Sequence, residues 1–136
     1  TPGVVVNKRI DVAAAAIVRD GRYLITQRMN KAVFPGLWEF PGGKVEDGED
    51  PAAALGRELS YRLGVQAEVG EKISERARDY DNYTVTLHLF NCDIGTETPQ
   101  AVRVADLAWV SSDELGDYEF VPADQDSMDR LLFDEP

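Results

Sequence analysis

Apolar positions along the chain fall into short runs, one alternating stretch and one helical stripe. Residues 9–19 carry the run VAAAAIV at 12–18, which predicts a short buried strand. Gly21-Arg22 predicts a turn, and YLITQR at 23–28 returns as the second arm of a hairpin. Pro35 and Gly36 make 29–37 a loop, and LWEFPGG at 37–43 predicts one short strand ending in a Pro-Gly-Gly break. The helical stripe follows. Asp50 is suited to cap it, Pro51 suits its first position, and Ala54, Leu55, Leu59 and Leu63 share one face of 51–63. Gly64 is placed to end this helix, and Gly56 inside it costs up to about 1 kcal/mol against alanine, so close packing is its expected reason.

Extended segments are expected at 65–79 and 82–93. In the second, TVTLHLF puts Val85, Leu87 and Leu89 on one face. A strand at 105–110 and a final helix at 122–133 complete the pattern, after a loose lead-in at 1–7. Strands and helices mix without regular alternation, so the expected class is α/β or α+β with a mixed sheet. The chain has 136 residues, which suits one domain over 1–136 with its core at about 9–133.

Composition narrows the function. No apolar run approaches the roughly 18–20 residues of a membrane helix, so no membrane partner is expected. Arg9 and Asp11 ahead of VAAAAIV make a poor signal peptide. The single Cys92 forms no internal disulfide, and a reducing, cytoplasmic setting is expected. Fourteen basic residues face 25 acidic ones, a net charge of -11, which repels nucleic-acid polymers. Yet Arg57, Arg62, Lys72, Arg76 and Arg78 cluster within 57–78. Such a local patch suits a small anion, although solvated helix and strand faces give the same count.

The chemistry concentrates in GGKVEDGEDPAAALGRELSYRLGV, 42–65. Gly43, Glu49, Arg57, Glu58, Leu59, Gly64 and Val65 match G-x5-E-x7-R-E-U-x-E-E-x-G-U, U being a bulky aliphatic. This resembles the Nudix box. The preceding LWEFPGG and the later Pro122-Ala123-Asp124 resemble the MutT-like and CTP-pyrophosphohydrolase-like branch. The resemblance covers about residues 9–133 and implies the Nudix fold, a mixed sheet between helices, with Glu58, Arg57 and Glu49 as catalytic remnants. It also implies that Arg28, Phe40 and Asp124 contact a nucleotide, and that family members often form homodimers. Trp38 is a further candidate for stacking on a base, with a core role the more ordinary reading. Asp124 is equally suited to cap the last helix. His88 and Cys92 read as structural.

The box is broken at its second half. Tyr61 and Arg62 stand where the family has two glutamates that converge with Glu58 on divalent cations. Aligned on Trp109, a further family ligand position is Arg103. Replacing two glutamates by Tyr61 and Arg62 moves the local charge from -2 to +1. A divalent ion about 5 Å from Arg62 is repelled by roughly 6–7 kcal/mol before screening, at an effective dielectric of about 20. Glu58 and the Gly42 main-chain carbonyl remain as ligands if a metal binds. Magnesium or manganese is expected only in an active enzyme, and otherwise no cofactor.

Three functions follow from the resemblance. The leading expectation is a protein that binds a nucleotide or other phosphorylated small molecule on Arg28, Arg62 and Arg103, with metal-dependent hydrolysis lost or much weakened. The first alternative is a working hydrolase that cleaves a nucleoside triphosphate to monophosphate and pyrophosphate, with displaced ligands such as Glu46, Glu75, Asp79 or Glu97. The second is an interaction scaffold.

Overall fold

The structure, a computed structural model, describes residues 8–133. The lead-in expected at 1–7 lies outside the described residues. Strand β1 spans Lys8–Arg19 and β2 Arg22–Gln27. Asp20 and Gly21 both take positive φ, 52° and 75°, so the hairpin turn sits there, one residue before the expected place. Two such residues between strands match the twist of the ladder on either side.

The single strand expected over 37–43 is two strands. β3 is Trp38–Glu39 and pairs with β2, whereas β4 is Gly42–Lys44 and pairs with β1. Pro41 separates them because it brings no backbone N–H to a ladder. Helix α1, Pro51–Leu63, has the expected ends: the Asp50 side chain accepts from Ala53 N at 3.2 Å, and Gly64 at φ 68° returns its N–H to Ser60 O. Gly56 departs from expectation. A Cβ there meets nothing within 4 Å, so close packing does not explain it.

β5 (Glu68–Asp79), β6 (Tyr83–Asp93) and β7 (Asp106–Val110) follow, then a 3-10 turn at Ser112–Asp117 and α2 at Gln125–Phe133. The expected start of α2 at 122 moves to 125, because the Asp124 carboxylate accepts from Ser127 N and Oγ at 3.1 and 2.7 Å. The sheet runs β3-β2-β1-β6-β5, with β4 beside β1 and β7 beside β2. β1 and β6 are parallel, from Lys8 beside Tyr83 to Ile17 beside Cys92, and the other pairs are antiparallel.

Both faces of β1 are covered. Ala13, Ala15 and Ile17 pack with Leu55, Leu59 and Leu63 of α1. Ile10 and Val12 pack on the other side with Leu132 of α2 and Tyr80, Tyr83 and Val85. β6 carries a surprise: buried Thr86 and His88 face the same side as Phe90, while Leu87 is 41% exposed. Among the described residues no helix is long and apolar enough to cross a membrane.

Candidate functional site

Three cavities meet around α1, β3, β4 and α2. The inner one, about 250 Å³, lies between Arg28, Phe40, Gly43, Lys44, Glu58 and Arg62, with Leu131 and Leu132 of α2 on its far side. An outer one of about 390 Å³ shares Arg28, Glu39 and Arg62 with it. The third, about 530 Å³, is mostly apolar, walled by Leu87, Val121, Pro122, Met128 and Leu131, with Arg76 and Arg78 at its side. Leu87 is exposed because it faces this cavity. An apolar strand face thus lines a cavity instead of filling the core.

The box residues come together as their spacing implies. A turn closed by Glu49 N to Glu46 O, with Gly48 at φ 78°, brings Glu49 back beside the helix. Arg57 meets Glu49 in a fork, Nε to Oε2 and NH2 to Oε1 at 2.9 Å each. That guanidinium holds the Glu49 carboxyl down at about 2 and has its own pKa raised in return, chiefly by the same bonds. Its NH1 donates to Glu58 Oε1 at 3.0 Å, and its NH2 to Lys44 O at 3.3 Å. Glu58 is pressed against β4: a Cβ on Gly43 would lie 2.6 Å from the Glu58 carboxyl carbon. A Cβ on Gly42 would overlap the Ala13 carbonyl oxygen, so both glycines serve close approach.

The other Glu58 oxygen is taken as well. Arg62 Nε donates to Oε2 at 2.7 Å, so both carboxylate oxygens accept from guanidiniums. One helical turn later in the ligand face, the Tyr61 ring lies 4.0 Å from the Arg103 guanidinium carbon. This donor set does not fit a divalent cation: its one carboxylate is shared by two cations, and the neighbouring positions are an aromatic ring and arginines. Among the described residues no group of three or more His, Cys, Asp or Glu is placed to hold a metal ion. The displaced ligands considered above lie elsewhere. Glu97 accepts from Gln66 N, Glu75 from Lys72, and Asp79 from Thr84, while Glu46 lines a cavity on the far side of the box turn.

The nucleotide candidates divide. Arg28 is buried, donating through Nε to Val33 O at 2.6 Å and through NH1 to Glu39 at 3.2 Å, and it lines both the inner and outer cavities. Phe40 lines the inner cavity and packs between Tyr23 and Phe120. Asp124 is occupied by Ser127, and the three residues before it, not Asp124 itself, wall the apolar cavity. Trp38 packs edge-on against Tyr118 at 5.0 Å and lines none of the three cavities. Glu39 and Lys44 line the cavities without having been singled out, and Arg76 and Arg78 of the basic patch flank the apolar one. Pairing of Thr26 with Glu39 sets Glu39 beside Arg28, and only the sheet register reveals that.

His88 has partners that the sequence hides. Its Nε2 lies 2.8 Å from Asp11 Oδ1 and its Nδ1 lies 2.9 Å from Lys72 Nζ. Cys92 is buried, and burial pushes its thiol up to about 11, an inert setting.

The NUDIX domain family matches residues 13–130. The CTP pyrophosphohydrolase of Escherichia coli is 41% identical over 117 residues, 86% of this chain and 87% of that protein. A putative 8-oxo-dGTP diphosphatase 2 of Mycobacterium tuberculosis is 38% identical over 117 residues, 84% of this chain and 82% of that one. The solution structure of the E. coli ORF135 protein, 38% identical, superposes with a TM-score of 0.72 over 90% of this chain and 88% of its own. Its relatives are thus nucleotide pyrophosphohydrolases, and with a family match over most of its length on a mixed sheet held between two helices, this chain belongs to the Nudix family.

Proposed function

We propose that this protein binds a nucleoside di- or triphosphate in the joined cavities between β3, β4, α1 and α2, and that its metal-dependent hydrolysis is lost or much weakened. The observation that carries this reading is Glu58. Its two oxygens are held at 3.0 and 2.7 Å by Arg57 and Arg62, where a magnesium or manganese site needs free carboxylate oxygens. The ligand class is supported by the cavity itself. Guanidiniums gather at one end and an apolar wall at the other, as a phosphate chain and a base require. The names of the relatives point to nucleotides as well. A cytoplasmic setting, with Cys92 as a free thiol, fits this ligand.

Those same relatives favour a second reading, a working hydrolase of nucleoside triphosphates. A nucleotide panel in calorimetry and thermal shift, with EDTA or with magnesium, separates the two. The expected result is binding in EDTA, a stability gain of about 2.7 kcal/mol at a hundredfold excess over Kd, and no added effect of magnesium. Turnover at or above about 1 s⁻¹ with magnesium would establish the hydrolase instead. No binding by any nucleotide would leave the scaffold reading.

A further inference from the structure

The outer cavity gathers arginines on an acidic chain. Arg28, Arg62 and Arg103 line it against the single carboxylate of Glu39, on a chain whose net charge is -11. Glu39 is itself paired with Arg28 at 3.2 Å, so it opposes an anion weakly. The departures from the box interlock here. Arg103 N donates to Arg62 O at 3.0 Å, and Arg103 NH1 donates to Tyr61 O at 2.8 Å, so the residue closes the last carbonyls of α1. Its guanidinium lies over the Tyr61 ring, centroid to carbon 4.0 Å. Arg62 in turn is held by Glu58. Among the described residues, Nε and NH2 of Arg103 have no hydrogen-bond partner. Two planar cations are therefore fixed before any ligand arrives, and one of them retains donors. Fixing the groups in advance removes the ordering cost that usually weakens binding by long side chains.

We propose that the outer cavity is a metal-free oxyanion site, in which Arg103 and Arg62 take a phosphoryl or diphosphate group where family members use cations. This deepens the ligand-binding reading above by naming the group held and the residues that hold it. Tyr61 is a positioning residue in this account. Its ring sets the plane of the Arg103 guanidinium, and a guanidinium fork grips phosphate oxygens two at a time when its plane is set.

Titration calorimetry with inorganic diphosphate in EDTA tests the proposal on four proteins: the parent, Arg103→Gln, Tyr61→Leu and Arg22→Gln. Arg22 is an exposed partner of Glu114 outside the three cavities and serves as the control for net charge. The parent should bind, with affinity falling as salt rises. Arg103→Gln should weaken binding at least tenfold, Tyr61→Leu severalfold, and Arg22→Gln hardly at all. Tyr61→Leu keeps the charge, so it carries the test if Arg103→Gln melts too low to use. No binding by the parent would overturn the proposal, as would equal affinity across the variants or an equal loss in Arg22→Gln. Nucleoside mono- and diphosphates in the same cell identify the source of the group. If the nucleoside diphosphate binds more tightly than inorganic diphosphate and also depends on Arg103, the site holds a nucleotide's phosphate chain. If only the inorganic ion depends on Arg103, it is a free-diphosphate site. Diphosphate binding with no nucleotide binding would sink the function proposed above and leave this site standing. Nucleotide binding without any dependence on Arg103 would do the reverse.

Discussion

Glu58 and Glu49 sit nine positions apart and share one arginine, yet they are held for different ends. The fork of Glu49 with Arg57 fastens the glycine turn to α1. The Glu49 carboxyl ionises at about 2 in the fold against 4.5 ordinarily, so the fold favours the charged form. A depressed pKa stabilises the fold above about pH 4.5, and that contribution fades as pH falls toward 2. Glu49→Gln should therefore melt below the parent at pH 7, with the gap closing between about pH 4.5 and 2. A gap that stays constant in melts across that range would show that the fork contributes nothing. Glu58 is different, because Arg62 occupies the oxygen a cation would need. Tyr61→Glu with Arg62→Glu frees it and places three carboxylates at i, i+3 and i+4. In EDTA this variant should melt lower than the parent, through repulsion among the three. Magnesium should restore it while leaving the parent unchanged. Arg103, docked on the end of α1, still opposes a second ion, so the expected response is that of one bound cation. If the variant's melting ignores magnesium, Tyr61 and Arg62 are not what keeps a cation from Glu58.

At the scale of elements, α1 is the best guide to what the chain reveals unaided. Its start, end and buried stripe follow from Asp50, Pro51, Gly64 and the leucines, all of them local signals. Gly56 is the exception, and it yields a prediction. With nothing within 4 Å of its added Cβ, Gly56→Ala should raise stability by about 0.5–1 kcal/mol, seen as a few degrees in a thermal melt. A drop would mean that the glycine has a role the static packing hides. The hairpin turn and the alternation in β6 were also legible. What was not legible depends on pairing between distant strands. The residues 37–43 look like one strand because nothing local says that β3 and β4 choose different partners. Alternation places Leu87 on a face but does not report what lies over it, here a cavity. The site divides the same way. Glu49, Arg57 and Glu58 are near in sequence and carry a spacing, whereas Glu39 and Lys44 reach the cavities through the register of the sheet.

Across the whole molecule, His88 ties three strands. From β6 it reaches Asp11 in β1 and Lys72 in β5, and it is 3% exposed. His88→Ala strips two part-buried contacts of a buried ring at once and should cost about 1–3 kcal/mol in urea unfolding. A change near zero would show that the surrounding charges reorganise freely. The parallel pairing of β1 with β6 has a consequence of another kind, for the time before the fold exists. Lys8 waits for Tyr83, a partner 75 positions later. At about 5–20 residues per second, a ribosome needs roughly 4–15 s to supply it. Through that interval the apolar strand at the start of the chain has its first hairpin partner but not its longest one. The nascent chain therefore passes through a stage with a long unpaired β1 edge, which a chaperone or a neighbouring nascent copy is free to engage.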